Sequence, residues 1–353
     1  MEKKNIVLNT KDFNYFKKDK KIVFFYNYIL ANKRKNIEDV YQVKLSKKEL
    51  LKFIKSIDYY YKKILNQISK NLNEINKVNK SERYWGIIIG PWIITYIQNM
   101  LNMWIEIDVL NKKKNKFKYN FYNLKNISVP NDFNAYETLT QSIEWRSFIY
   151  GSIINNYYNK KKFIKKNIFS STFKDNFDKK KNTFYLRKFS LKFFFFSFLN
   201  FFRFTKKKII FLNTSIGHKK EIICSLKNLT IPFFFFNLRL NPKNNNTFQK
   251  ERKKLTLGLI PNNDFENFIY SNIPNYFPKS YLEHFHSYNV KIKKDFPKNT
   301  KLIISQTIHF GLDIIKFWVA NMIESGCYLI SLQHGAISGY GSFITNDTKI
   351  IAL

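Results

Sequence analysis

The chain has 353 residues, 61 of them basic and 25 acidic, for a formal net charge of +36. Hydrophobic residues make up 44 % and aromatics 18 %, which excludes a wholly disordered chain and leaves room for two or three domains. Only seven of the basic residues are arginine, the side chain that forks onto phosphates and guanine edges, so no specific nucleic-acid partner is expected despite the charge.

In chain order, Asn5–Asn9 and Ile22–Tyr28 read as two early strands, or as one strand and a helix start. Ser46-Lys47-Lys48-Glu49 is a capping box, and it opens a long amphipathic helix that carries Leu50, Leu51, Ile57, Tyr61, Ile64 and Leu72 on one side. Ser81 caps a second helix, apolar nearly all round and therefore buried, in which Gly90-Pro91 predicts a kink. Asn111–Lys118 reads as a polar break. Val129–Asp132 is a turn before a helix over about Phe133–Tyr158.

Residues 160–208 are rich in lysine and phenylalanine and read as a domain connection that either touches an anionic membrane surface or forms a buried aromatic strand pair with solvated lysines. Its most apolar stretch, Phe189–Phe204, is interrupted by Lys192, Ser197, Asn200 and Arg203. It is too short for the roughly 20 apolar residues of a spanning helix.

From Ile209 a strand–helix–strand rhythm appears, with Ile209–Asn213, Glu221–Leu226 and Ile231–Phe236, and it indicates a parallel sheet. Pro274–Asn289 reads as a helix. Leu302–Ile304 with Ile308 then forms a buried strand, Asp313 an N-cap, and Ile314 to Ile323 a helix stopped by Gly326. Tyr328–Leu332 reads as a second buried strand, and it runs directly into Gln333-His334-Gly335.

The fold class is therefore α/β. A largely helical N-terminal region spans 1–159, a basic aromatic connection 160–208, and a Rossmann-like domain 209–353. The last residues, 349–353, look like the middle of a strand, and a C-terminally incomplete sheet is expected, with poor solubility and little activity.

Ligands of open α/β sheets bind beyond the carboxyl ends of strands, often on glycine turns that let backbone approach a phosphate. Gln333, His334 and Gly335, with the second glycine turn Gly339-Tyr340-Gly341, fit that position and are the leading site candidates. A neutral imidazole there can donate to a phosphate oxygen or act as a base, and a purely structural histidine is also compatible.

Trp85, Gly90, Pro91 and Trp92, with His309, are candidates for an acceptor pocket; the first four also fit a plain aromatic core. Glu82, Asp108 and Asp313 are weak candidates for a base. His284 and His286 lack further ligands, so no metal and no cofactor are expected. Cys224 and Cys327 sit in apolar contexts and read as buried free thiols of a reducing compartment. The N-terminus has no apolar core of signal-peptide length, and a cytoplasmic site follows. GxGxxG, P-loop, HExxH, GxSxG and CxxC patterns do not occur.

Four blocks together resemble one family. They are SERYWGIIIGPWIITYI (81–97), VPNDFNAYETL (129–139), IPNYFPKSYLEHF (273–285) and the 301–341 unit ending in Gln-His-Gly. The family is that of transferases associated with O-antigen and other surface-polysaccharide biosynthesis. It is similar to two-Rossmann-domain (GT-B-type) glycosyltransferases and glycerophosphotransferases that carry a QHG-like histidine.

The resemblance implies transfer of a sugar or alcohol-phosphate unit from a nucleotide-activated donor to a glycan or lipid-linked glycan. His334 would be catalytic, and the 333–341 loop would hold the donor, on the inner face of the cytoplasmic membrane. The family pattern has QHGG followed closely by Tyr-Gly. Here Ala336 replaces the second glycine and Ile337-Ser338 widen the gap, which keeps a non-catalytic scaffold of a glycan assembly as the alternative.

Overall fold

The computed structural model describes residues 3–7, 22–24, 40–41, 47–125, 127–158, 161–172, 209–212, 214, 217–228, 247–306 and 311–332. Ser46, Phe189–Phe204, Ile231–Phe236 and the chain end at 349–353 lie outside the described residues.

Two parallel sheets organise the chain. The first holds β1 (Lys3–Val7), β2 (Ile22–Phe24), β3 (Val40–Tyr41), β4 (Lys116–Lys125) and β5 (Phe163–Thr172) in the order β3-β2-β1-β4-β5. All four pairings are parallel. The strand order reverses between β1 and β4, the crevice position at which doubly wound sheets take ligands. The second sheet holds β6 (Ile209–Leu212), β7 (Leu302–Ser305) and β8 (Tyr328–Ser331) in that order, also parallel. The mixed α/β class expected from the sequence is therefore observed, with helices predominating.

Between β3 and β4 the chain forms α1 (Lys47–Asn76) and α2 (Glu82–Lys112). Ile57, Tyr61, Ile64, Leu65, Ile68 and Leu72 of α1 are buried, as its apolar stripe requires, but Leu51 is exposed. In α2 the Ser81 hydroxyl accepts from Tyr84 N at 3.1 Å, as a capping serine should. The helix runs uninterrupted through Pro91. It is buried on all sides because α1, α4 (Ile143–Tyr157) and α9 (Asp313–Glu324) pack around it. It is the central element of the core.

The expected polar break at 111–118 is corrected: α2 continues to Lys112 and β4 begins at Lys116. Alternating Lys-Phe-Lys-Tyr is strand-like, and Phe117 and Tyr119 are buried. Opposite Asn120, β5 carries two residues, Lys166 and Asn167, a bulge in which the Asn167 amide donates to the Asn120 side chain at 3.1 Å. β5 lies within the segment read as a connection, yet it is a strand of the first sheet.

The single helix expected at 133–158 is also corrected. It is two, α3 (Phe133–Gln141) and α4, because Ser142 adopts an extended backbone and caps α4 through Trp145 N at 3.1 Å. In the second half, α5 (His218–Lys227) follows β6 as expected.

The helix expected at 274–289 is replaced by three pieces. Asn263 caps α7 (Asp264–Tyr276), a 3-10 turn spans Lys279–Tyr281, and α8 covers Phe285–Asp295. Pro274 falls in the last turn of α7 rather than opening a helix. A short α6 (Gln249–Lys254) precedes them. β8 was expected to be buried, but Tyr328 and Ile330 on one of its faces are exposed among the described residues, whereas Ile303 of β7 is fully buried. Among the described residues no helix is long and apolar enough to cross a membrane.

Candidate functional site

Gln333, His334, Gly335, Gly339, Tyr340, Gly341 and His309 lie outside the described residues. The chain leading to the first of them is described. β8 ends at Ser331, and Leu332 N donates to Ser305 O at the carboxyl end of β7, 2.7 Å away.

Trp85, Gly90, Pro91 and Trp92 are all buried in the core around α2. Trp92 stacks on Tyr96 with centroids 5.0 Å apart and meets Phe277 edge-on at 4.9 Å. Its indole N–H donates to Tyr276 O at 3.1 Å. Trp85 donates to the Asn73 side chain at 2.8 Å. These residues join the first helical layer to the 273–285 block.

Of the weak base candidates, Glu82 is exposed and accepts from Asn66 at 2.7 Å. Asp108 pairs with Lys112 at 2.7 Å on the surface.

Asp313 was expected to be an N-cap. It is instead the first residue of α9, Leu312 holds the cap position, and the carboxylate is directed to other elements. One oxygen accepts from Phe133 N at 3.1 Å and from the Ser280 hydroxyl at 2.6 Å. The other accepts from the Tyr281 hydroxyl at 3.0 Å and from Lys316 Nζ at 2.9 Å. Lys316 is fully buried, donates also to the Tyr281 oxygen at 3.0 Å, and stands 4.1 Å from the Phe133 ring centroid.

Two buried charges are costly unless every lone pair and proton finds a partner. Here each carboxylate oxygen accepts two hydrogen bonds. Backbone bonds reinforce the junction: Lys279 N donates to Pro130 O at 2.8 Å and Ser280 N to Asn131 O at 2.9 Å. The node therefore clamps the loop after β4 to the helix after β7. Burial, then the nearby Asp313 charge, pushes the Tyr281 phenol well above its ordinary range. Glu137 on α3 is raised by burial, with Lys316 opposing and Asp313 adding.

A second buried clamp holds the same block. Arg252 Nε and a terminal nitrogen meet the two oxygens of Glu283 at 2.6 and 2.7 Å, and Arg252 also donates to Pro274 O and Phe277 O.

Sequence reasoning missed Lys316, Ser280, Tyr281 and Arg252. A signal for the pair existed: Asp-Ile-Ile-Lys places two opposite charges three residues apart inside an otherwise apolar run, which is the spacing of a helical ion pair. Among the described residues no group of three or more His, Cys, Asp or Glu could hold a metal ion.

The blocks at 81–97, 129–139 and 273–285 thus meet residues 313–316 around one junction. A family model described as LIC12162 family transferase matches residues 5–351. The chain belongs to that family. No curated protein and no solved structure matches the chain. The LIC12162 family match spans both sheets, the Asp313–Lys316 node and residues 333–341, so the protein is a transferase.

Proposed function

We propose that this transferase moves a sugar or alcohol-phosphate unit from a nucleotide-activated donor onto a glycan acceptor in surface-polysaccharide (O-antigen) biosynthesis. The arrangement would be of the two-Rossmann-domain kind, with the enzyme peripheral on the cytoplasmic face of the membrane. What carries the reading is the order β7–α9–β8 followed directly by Gln333-His334-Gly335, in a chain of a transferase family. Two parallel sheets support it, because ligands of such sheets sit at the carboxyl edge.

Transfer of this kind builds negative charge on the departing phosphate. Donors already aimed at that charge lower the barrier. The positive end of α9 contributes little, since Asp313 in its first turn offsets the helix dipole. The task falls to backbone N–H groups of the 333–341 loop and to the His334 imidazole, with Gln333 orienting the loop.

In nucleotide-release assays with a panel of UDP-, GDP-, CMP- and CDP-activated donors, His334→Ala should slow turnover more than about tenfold, or about 1.4 kcal/mol of barrier, with an unchanged unfolding midpoint. Equal turnover by the variant removes His334 from the site. Ala336 favours a second reading, a non-catalytic scaffold, because a backbone grip on phosphate is hindered wherever positive φ is needed. A chain that binds none of these nucleotides would favour the scaffold.

A further inference from the structure

We propose that the groove between α1 and the turn at residues 255–259 binds a neutral, hydroxyl-rich glycan, the already built part of the acceptor chain. The proposal rests on the reading of the protein as a glycan-directed transferase and assigns that reading a second binding surface.

The groove has a volume of about 580 Å³ and is lined by Tyr61, Lys62, Asn66 and Gln67 of α1, Glu82 of α2 and Gly258. That volume lies within the range of small-ligand sites. Its walls are held in place. Asn71 Nδ2 donates to Leu255 O and Leu257 O, both at 2.9 Å, and so seats the turn on α1. Gly258 has φ +80°, and a Cβ there would stand 2.7 Å from Gln67 Nε2. The position therefore favours glycine for its backbone, while the Gln67 side-chain end could shift to admit a Cβ. On the opposite wall Asn66 Nδ2 donates to Glu82 Oε2 at 2.7 Å. Tyr61, 6 % exposed, forms part of the floor, and its hydroxyl has no hydrogen-bond partner.

The chemistry selects the ligand class. A sugar hydroxyl donates and accepts, so its site needs both functions side by side. Here two amides, which do both, stand beside a carboxylate that only accepts and an ammonium that only donates. Leu65 and Leu259, both buried, add apolar surface for the C–H faces of a ring.

Phosphate would need a surplus of donors and positive charge. The ammonium of Lys63 is instead taken by Glu266 at 2.7 Å, which leaves Lys62 against Glu82. In a chain with a net charge of +36 this groove is locally balanced.

The position fits a tether rather than a reaction centre. Ser81, next to Glu82, bonds both oxygens of Glu324 at the C-terminal end of α9. The other end of that 12-residue helix lies at the carboxyl edge, about 18 Å away at 1.5 Å per residue. Only an acceptor of several sugar units reaches from the groove to the edge.

The test is a microarray of neutral and acidic bacterial surface oligosaccharides probed with the full chain, followed by saturation-transfer NMR on any that bind. A neutral oligosaccharide should bind. Asn66→Trp, which fills the groove from an exposed position, should weaken that binding about tenfold or more without moving the unfolding midpoint or the binding of UDP, GDP, CMP or CDP. Glu82→Gln, on the exposed first turn of α2, serves as a second variant if the first does not fold, and it too should weaken binding.

Binding to no neutral oligosaccharide, or binding indifferent to these variants, overturns the proposal. Preference for acidic glycans overturns it as well. Groove-dependent glycan binding by a chain that takes no nucleotide would uphold the groove and sink the donor-transfer reading, so the two fail separately.

Discussion

Replacing Lys316 by methionine should destabilise the protein strongly, because it leaves Asp313 buried without its counter-charge. Breaking one partner of a buried pair costs about 3–5 kcal/mol. The low end applies here, since Phe133 N, Ser280 and Tyr281 still donate to the carboxylate. At about 2.1 cal/mol/K per residue, a chain of 353 residues has an unfolding entropy of roughly 0.7 kcal/mol/K. A loss of about 3 kcal/mol then lowers the midpoint by about 4 °C. Scanning calorimetry and urea unfolding both read this. The double variant Asp313→Leu/Lys316→Met should cost less than the sum of the two single changes, because neither charge is then left alone. A Lys316→Met protein within about 0.5 kcal/mol of the parent, or strictly additive single and double variants, would refute the node as a coupled ion pair.

Further measurements bear on other parts of the molecule. Glu106 accepts from the Tyr150 hydroxyl, and burial raises its carboxyl above the ordinary value of 4.5, with the Tyr150 bond and Arg146 opposing. A raised acid binds more protons folded than unfolded, so its stabilising share is present below the unfolded value and fades as pH rises through the folded one. The stability of the parent relative to Glu106→Gln should therefore fall as pH rises above the ordinary value of 4.5; a constant or rising difference contradicts the burial argument. Ser81→Ala removes both the α2 cap and a donor to Glu324, and urea unfolding should show a loss of about 1–2 kcal/mol. Cosedimentation with liposomes should depend on anionic lipid if the 160–208 segment docks on a membrane, at roughly 1 kcal/mol per lysine near the surface; indifference to lipid charge removes that role.

The elements with strong local signals were legible in the sequence. Ser81 and the all-round apolar run announced α2, and Gly326, at φ +88°, ended α9 as read. β4 and β5 were not legible, because lysine and asparagine between aromatics mimic a solvated loop when nothing shows which neighbours cover each face. The break at Ser142 was hidden by a helix-like pattern on both sides, and Pro274 looked like a helix start although Asn263 had already capped the helix. At the candidate site, the order of blocks was readable, but their meeting was not. Asp313 reaches Phe133 across 180 residues of sequence and Ser280 across 33. The sequence left Trp85, Gly90, Pro91 and Trp92 of α2 open between pocket and core, because tryptophan beside glycine and proline suits both; the structure shows all four buried.

β1 is the middle strand of its sheet. β1 pairs with β2 on one side, and on the other its Lys3 stands opposite Lys116, a separation of 116 − 3 = 113 residues. On a ribosome, β1 is made before β4 and stays open on that side until α1 and α2 have been made and β4 has followed them. Pairing over such a distance is slow and leaves an unsatisfied edge exposed meanwhile. The nascent chain therefore has a long window in which chaperone capture or misassociation competes with folding. Changes within residues 3–7, remote as they are from the candidate site, should lower yield rather than turnover.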